Sequence, residues 1–332
     1  MQELILHIGR HKSGTSSLQR FLVDNAAVLL EHGWYYPCHG RGRRIAHHDL
    51  ATYFNSRQID RLSESEQREL SREVNLFREE VAERPKVILS SENFQNVDPN
   101  NLVNEFSDSK LTIVVYLREI ISYFLSAYSQ AIKANKLTLD QTQFLQKRFR
   151  ANYFTHLCSW KKAFPSATLK VRLFNKSALH QNDIRHDFLE ITGLSGHEKN
   201  SRFNFRSYDS NPTIAGDLLF FKRKLNEYDF ESVISQRQLY GCLQELARRS
   251  KVFSRFDGIE QNLKQILIDS YQEQASQTEK LFKIETGALL NVNFPVVTNK
   301  KLSETKVKYI CDELDKVSPD LGTRFCCLLG VS

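Results

Sequence analysis

The sequence of residues 4–22 is LILHIGRHKSGTSSLQRFL. It begins with a short apolar run that is typical of a buried strand, and it ends with apolar residues at helical spacing. Gly9 and Gly14 lie between these two parts, in a turn that also contains Lys12. A strand, a glycine turn and a helix in this order predict an anion site. The reason is that the first N–H groups of a helix lack intrahelical partners and the helix dipole attracts negative charge there.

The turn differs from the phosphate loop of a kinase in the position of its lysine. In the kinase-type pattern G-x-x-x-x-G-K-[ST], the lysine directly follows the second glycine. Here Gly9 and Gly14 keep that spacing, but Thr15 stands in the lysine's place and Lys12 lies inside the turn. We therefore expect an anion site without the kinase-type lysine. An ordinary strand-to-helix turn with a surface lysine is the alternative, since loose glycine motifs recur by accident.

The composition is that of a soluble globular protein. The chain has 332 residues, of which 41% are hydrophobic and 26% charged, and its net charge of +7 favours an anionic ligand or substrate. No apolar run approaches the ~18 residues needed to span a bilayer, and the N-terminus is unlike a signal peptide. We expect a cytoplasmic protein without a transmembrane segment, for which peripheral membrane contact stays open. The six cysteines lack metal-ligand spacing, so free thiols are expected.

Short apolar segments alternate with helical ones along the first half of the chain. The predicted strands are Leu4–Ile8, Lys86–Ser90, Leu111–Leu117 and Leu169–Phe174. The predicted helices are Ser16–Glu31, Ser65–Glu83, Ile120–Lys136, Leu139–Phe164, Leu218–Leu225, Gln236–Ser250 and Ile259–Phe282. This alternation predicts an α/β fold with a parallel β-sheet flanked by helices, whose ligands bind at the carboxyl ends of the strands. We expect a core over residues 1–200 and a mostly helical extension over 201–332, packed on that core.

A second candidate anchor follows the third predicted strand. Arg118 ends that strand, and Ser126 comes eight residues later, about two turns into the next helix. An arginine fork together with a hydroxyl is a good receptor for a phosphate group. Taken alone, an arginine at a strand end is usually a surface charge, so this motif gains meaning only beside the first one.

Together the two motifs resemble those of sulfotransferases that use 3′-phosphoadenosine 5′-phosphosulfate. The 5′-phosphosulfate loop of that family is similar to residues 7–18, with its Lys-x-Gly-Thr core at residues 12–15. Its 3′-phosphate element is a strand-end arginine followed eight residues later by a serine, and Arg118 and Ser126 match it in type and spacing. The resemblance covers about residues 1–180 and is to bacterial carbohydrate-type members, which have a P-loop-like fold. A weaker similarity concerns Arg202 and Ser207, whereas the family's late Arg-Lys-Gly loop has no recognisable counterpart.

The resemblance implies an enzyme, its co-substrate and a set of binding residues. It implies transfer of a sulfuryl group by in-line displacement to a hydroxyl or amine of a carbohydrate or glycolipid, acidic acceptors included. Adenosine 3′,5′-bisphosphate would leave, with no metal and no nucleic acid involved. The implied co-substrate-binding residues are Arg10, His11, Lys12, Ser13, Gly14, Thr15, Ser16, Ser17, Arg118, Ser126 and Arg202. The oligomeric state and the particular acceptor are not predicted.

The reaction also requires a base to take the acceptor's proton. Members of the family use a histidine or a glutamate near the sulfuryl group. The segment of residues 46–51, AHHDLA, resembles a histidine-containing stretch of bacterial members, in which the second histidine matches better. Besides Lys12, the candidate catalytic residues are therefore three possible bases. They are His48, then His47, and Glu92, which follows the second predicted strand. Solvated histidines and a carboxylate that starts a helix are the alternatives.

Two other classes of function stay open at this stage. The first is a P-loop kinase for a small molecule, against which Thr15 in the lysine's place counts. The second is a non-enzymatic protein that binds anions or nucleic acid, which the net charge and the basic segment of residues 39–44 favour. That segment would also suit contact with an acidic acceptor, although a basic run of this kind is more often a solvated loop. No signature of an RNA- or DNA-binding fold is present in the sequence.

Overall fold

A four-stranded parallel sheet forms the centre of the computed structural model. The structure describes residues 1–9, 13–41, 44–196, 202–206, 214–249, 253, 258–296 and 302–331. The strands are β1 (Gln2–Ile8), β2 (Lys86–Ser91), β3 (Ser109–Leu117) and β4 (Thr168–Leu173). Their order in the sheet is β2-β1-β3-β4, and every neighbouring pair is parallel. All four predicted strands are confirmed, each within two residues of its predicted bounds.

Both faces of the sheet are buried over β1, β2 and β3, as expected for an all-parallel sheet with helices on each side, whereas the edge strand β4 is only partly buried. On one face the register brings Ile5 beside Ile88 and His7 beside Ser90 and Val114. On the other face the fully or almost fully buried residues are Leu4, Leu6, Ile8, Val87, Leu89, Ile113, Val115 and Leu117. The predicted α/β class, a parallel sheet flanked by helices, is confirmed.

Helices occupy most of the remaining described residues. They are α1 (Thr15–Asp24), α2 (Ala26–Glu31), α3 (His48–Tyr53), α4 (Ser56–Ile59), α5 (Glu64–Val81), α6 (Val103–Phe106), α7 (Ile120–Ala134), α8 (Gln141–Lys147), α9 (Tyr153–Ala163), α10 (Ile184–Thr192), α11 (Gly216–Leu225), α12 (Gln236–Arg249), α13 (Gln261–Phe282), α14 (Glu304–Asp315) and α15 (Leu321–Leu329). The predicted, mostly helical character of the later chain is confirmed by α11–α15.

Two of the predicted helices are each broken into two. The first breaks at Asn25, which leaves the helical conformation and donates its side-chain amide to the carbonyls of Phe21 and Asn204. Asparagine competes with the helix for backbone groups in this way. The second, predicted over 139–164, is interrupted between α8 and α9. There Arg150 donates to the carbonyls of Leu145, Gln146 and Phe149 at the end of α8, so the helix stops.

The chain divides into two compact units, each made of separate segments. The first unit comprises residues 1–120, 152–206 and 272–290, and the second comprises 121–151, 207–271 and 291–332. The predicted division into a core over residues 1–200 and a helical extension over 201–332 stays a prediction.

In the first unit, α1 and α10 cover one face of the sheet. Leu18, Phe21 and Leu22 of α1 form one buried cluster with Ile5 of β1 and Phe188 of α10. Burying such side chains stabilises the fold by about 1.5–3 kcal/mol each relative to exposure. This packing fixes α1 directly behind the turn that precedes it.

A buried carboxylate ties α10 to β3 and β4 in the same unit. Asp187 is fully buried and accepts hydrogen bonds from the Tyr116 hydroxyl at 2.8 Å and from the Arg172 Nη2 at 2.7 Å. The backbone N–H of His180 donates to the same carboxylate at 3.1 Å. Burial, then the Asp187 charge, raise the pKa of Tyr116. A buried charge is tolerated only when its partners are this complete.

The second unit has its own apolar core, formed by α11, α12, α14 and α15. Phe221 and Phe325 meet edge to face at 6.1 Å. Gly322 of α15 lies so close to α14 that an added Cβ would come within 1.8 Å of the Cys311 carbonyl oxygen. In the described part of the chain, no helix is both long enough and apolar enough to cross a membrane.

Candidate active site

Gly9 and Gly14, the two glycines that follow β1, are both tightly packed against the elements around them. A Cβ on Gly9 would lie 2.6 Å from the Thr15 methyl and 3.1 Å from the Glu92 Cα. Gly14 has a φ of +76°, and a Cβ there would lie 2.4 Å from the Phe174 ring. A side chain at either position would therefore require its neighbours to move. Close approach at both positions and a left-handed backbone at Gly14 explain why glycine occupies them.

Gly14 also starts α1, and its carbonyl accepts from the N–H groups of Ser17 at 3.1 Å and Leu18 at 3.2 Å. Within the described residues of α1, the first turn has no acidic residue and no side-chain cap. The N-terminal end of α1 is thus suited to an external anion. Ser13 and Thr15 are buried, whereas Ser16 and Ser17 are exposed. Arg10, His11 and Lys12 lie outside the described residues.

Two of the candidate bases meet at the carboxyl end of β2. His48 is the first residue of α3, and its Nδ1 lies 2.8 Å from the Ser91 Oγ. Its Nε2 lies 3.8 Å from one carboxylate oxygen of Glu92. The other carboxylate oxygen of Glu92 accepts from the Gln19 side-chain amide at 2.7 Å. Because Gln19 belongs to α1, a chain of polar contacts joins both candidate bases to the helix behind the glycine turn.

Burial separates His48 from the other two histidines of this region. The side chain of His48 is 20% exposed and that of Glu92 is 19% exposed, so both reach solvent. His47 is fully buried, stacks edge to face on Tyr36 and accepts from the Ser90 N–H through its Nδ1. Burial lowers the pKa of His47 to about 3, so it is neutral near pH 7. This setting suits a structural histidine better than a base that must titrate near neutrality.

His7 is the second buried histidine, and it lies one residue before the end of β1. Its Nδ1 is 2.8 Å from the Ser90 Oγ, and its ring packs edge to face on Tyr116. Burial lowers the pKa of His7 to about 4, an effect that the Glu92 charge opposes. His7 is thus a neutral side chain of the core beneath the candidate site.

The segment leading to His48 is fixed along the β2 edge of the sheet. Tyr35 forms a parallel bridge with Val87. Further on, the N–H groups of Cys38 and His39 both donate to Glu80 at 2.8 Å. In addition, the N–H of Gly40 donates to Glu73 at 3.0 Å. The beginning of the basic segment is therefore held by two carboxylates of α5.

Arg118 follows β3 directly, as predicted, and is partly buried. Burial lowers its pKa, while Tyr153 and Glu119 act in the opposite direction. The Tyr153 hydroxyl donates to the Arg118 carbonyl at 2.9 Å, which fixes the backbone here. Ser126 lies on α7, is partly buried and belongs to the second unit.

The segment of residues 202–206 packs on α1 through its aromatic side chains. Phe203 and Phe205 both stack on Phe21, at 6.0 and 5.0 Å between ring centroids. Arg202 is exposed at the start of this segment. Ser207, the other residue of the weak similarity, lies outside the described residues.

Gln19 is the member of the site that the sequence did not single out. It is 1% exposed and lies next to Leu18 on the buried side of α1. A lone polar residue inside an apolar helical stripe was the available signal, because a buried amide requires hydrogen-bond partners. In the described part of the chain, no three His, Cys, Asp or Glu side chains are grouped to hold a metal ion. The predicted independence of metal stays a prediction.

Comparison with known proteins gives limited relationships. No family model matches the chain. An uncharacterized protein of Archaeoglobus fulgidus is 29% identical over 203 residues, which are 59% of this chain. The chain spans about half (53%) of the length of that relative.

A solved structure was also found. The crystal structure of a sulfotransferase from Alicyclobacillus acidocaldarius aligns with 87% of this chain and 99% of its own, at 15% identity and a TM-score of 0.48. A likeness of this extent does not assign the chain to a family.

The packing at Gly14 yields a stability prediction. Gly14→Ala should destabilise the protein by about 1–3 kcal/mol more than Gly33→Ala, because only Gly14 has a ring in the space of the new methyl. Gly33 is the matched control, since its φ is +85° and nothing lies within 4 Å of an added Cβ. Urea unfolding of both variants measures the difference. Equal losses would contradict the close packing of the turn.

The buried His7 yields a pH dependence. Its pKa of about 4 lies below the value of about 6.5 in the unfolded chain, so the unfolded state binds the proton first as the pH falls. The contribution of neutral His7 to the free energy of unfolding is therefore complete above pH 6.5 and is lost as the pH falls from about 6.5 to 4. Replacing His7 by Asn should reduce the slope of unfolding free energy against pH in this window by up to about 1.4 kcal/mol per unit. Parallel wild-type and variant curves would contradict this.

Proposed function

We propose that the protein transfers the sulfuryl group of 3′-phosphoadenosine 5′-phosphosulfate to a hydroxyl or amine of an acceptor. The observation that carries the proposal is the chain of contacts from α1 through Gln19 and Glu92 to His48. It connects the helix behind an anion-binding turn with a solvent-accessible histidine–carboxylate pair at one edge of the sheet. In-line displacement at sulfur needs these two things together: a place for the leaving phosphate and a base for the acceptor's proton.

The 5′-phosphosulfate end is assigned to the turn between Gly9 and Thr15. The N–H groups at the start of α1 and the helix dipole would hold the 5′-phosphate as its charge increases. The hydroxyls of Thr15, Ser16 and Ser17 would add donors. Lys12, with Arg10 and His11 beside it, is carried over from the sequence resemblance as the cation of this loop.

His48 is proposed as the base, with Glu92 as its partner. The Ser91 hydroxyl holds Nδ1 of His48, which leaves Nε2 on the side of Glu92. When Nε2 accepts the proton of the acceptor, the nearby carboxylate would stabilise the imidazolium. Gln19 keeps that carboxylate in place through its 2.7 Å hydrogen bond. Glu92 as the base itself is the alternative within the same site.

Arg118 is proposed to hold the 3′-phosphate, with Ser126 carried over from the resemblance. Arg118 follows β3 directly and is partly buried, and a guanidinium offers paired N–H donors that suit a phosphate. This contact would separate the donor from ATP, which has no 3′-phosphate. Arg202 is proposed as a further contact of the nucleotide.

The acceptor is proposed to be a carbohydrate or glycolipid, including acidic ones. The support is the net charge of +7 and the basic segment of residues 39–44. Transfer without a metal is proposed on the resemblance alone. A cytoplasmic place of action is proposed on the free thiols expected from the sequence.

Nucleotide binding tests the proposed co-substrate. Isothermal titration calorimetry should show tighter binding of adenosine 3′,5′-bisphosphate than of ATP with magnesium. Lys12→Ala and Arg118→Ala should each weaken binding of the bisphosphate by about tenfold or more, because each removes a charged contact to phosphate. Lys161→Ala, an exposed lysine of α9, is the control and should change nothing. A preference for ATP would favour the kinase, and salt-sensitive binding of DNA with no effect of the bisphosphate would favour a nucleic-acid protein.

Turnover tests the proposed base. Once an acceptor is in hand, His48→Ala should lower kcat by about 10²–10⁴, the usual contribution of a general base, and leave affinity for the bisphosphate unchanged. His180→Ala, an exposed histidine, is the control. If His48→Ala keeps full activity while Glu92→Gln loses it, the base is Glu92.

A further inference from the structure

A buried carboxylate on α13 organises the loop that follows this helix. Glu279 is 5% exposed and accepts from the backbone N–H groups of Gly287 at 3.0 Å and Leu289 at 2.8 Å. Hydrogen bonds to an ionised group are stronger than those between neutral groups. The two bonds therefore hold the path of residues 285–290 firmly against the helix.

This loop in turn holds the backbone just after Arg118. The Leu289 carbonyl accepts from the Ile120 N–H at 2.8 Å. Ile120 is the first residue of α7, so its N–H has no intrahelical partner, and the loop supplies one. On the other side, the Tyr153 hydroxyl donates to the Arg118 carbonyl. The two peptide units between Arg118 and Ile120 are thus held from both ends by groups distant in sequence.

We propose that Glu279 is a positioning residue that sets the direction of Arg118 and thereby the preference for a 3′-phosphate; this inference rests on the proposed function. Arg118 reaches its ligand through a long side chain, so a small backbone rotation at its Cα displaces the guanidinium by more than a hydrogen-bond tolerance. The turn that carries it must therefore be rigid. Glu279 supplies that rigidity through Leu289, which gives the late part of the chain a role in choosing the nucleotide.

The test is the substitution Glu279→Gln, which keeps the shape but replaces one accepting oxygen by an NH₂ group that only donates. Calorimetry is run with adenosine 3′,5′-bisphosphate and with adenosine 5′-monophosphate. The Kd of the bisphosphate should rise about tenfold, while that of the monophosphate stays within about twofold. The ratio of interest is the affinity for the bisphosphate divided by the affinity for the monophosphate. Partial unfolding would lower the measured stoichiometry but leave this ratio unchanged. The ratio therefore separates positioning from stability.

Three further variants complete the experiment. Glu273→Gln makes the same change at an exposed position of α13 and should leave both affinities unchanged. Tyr153→Phe releases the same turn from the other side and should lower the same ratio. If Glu279→Gln does not fold, Glu279→Asp, whose shorter side chain withdraws the carboxylate from the same two N–H groups, is measured in its place. Arg118→Ala removes the proposed phosphate contact itself.

The outcomes are distinct. If Arg118→Ala lowers the ratio and neither Glu279→Gln nor Tyr153→Phe does, the positioning role is wrong and the proposed site stands. An equal loss of both nucleotides in Glu279→Gln likewise overturns the positioning role. If Arg118→Ala itself leaves the ratio unchanged, the assignment of the 3′-phosphate site is wrong.

Discussion

The close approach of β1, α1 and β2 around Gly9 is the constraint on which the candidate site depends. Gly9 leaves β1 within contact of Thr15, the first residue of α1, and of Glu92, the residue after β2. No side chain fits between them. As a result, the N-terminal end of α1 and the carboxylate of Glu92 are held at the same edge of the sheet. Gln19, one turn further along α1, converts that closeness into a hydrogen bond.

Burial then gives similar side chains different roles. His7, His47 and His48 all lie near the ends of β1 and β2, but the first two are fully enclosed and are kept neutral by burial. Only His48 combines a fixed orientation with contact to solvent and to Glu92. A histidine that is oriented, hydrated and next to a carboxylate is the arrangement that general-base chemistry uses.

The sheet and the start of α1 after Gly14 could be predicted because their causes are local. Apolar runs of five to seven residues predict the strands, and the glycine before the second apolar stretch predicts where α1 begins. The breaks at Asn25 and after Lys147 could not be predicted, because they depend on Asn204, far along the chain, and on the way Arg150 folds back on carbonyls. For the same reason the sequence ranked His48 before His47 only through the resemblance, and not through any local pattern. Their difference is one of burial, which only the assembled fold determines.

The role of Glu279 could not be predicted from the sequence either. In sequence it is one glutamate in a charged helix, and nothing local distinguishes it from Glu273. In the structure its carboxylate organises a loop that reaches the turn after Arg118, 161 positions earlier in the chain. Long-range backbone contacts of this kind leave no periodic pattern, so they become visible only once the fold is known.

The most direct test of the central claim is transfer itself. The protein is incubated with 3′-phosphoadenosine 5′-phosphosulfate carrying a radioactive sulfuryl group and with a fractionated cell extract. With the wild-type protein, we expect label to enter a carbohydrate or glycolipid fraction and one adenosine 3′,5′-bisphosphate to form for each sulfuryl group transferred. With Arg118→Ala, we expect no label to enter these fractions. Absence of transfer to every fraction by a folded protein that binds ATP with magnesium more tightly than the bisphosphate would contradict the account.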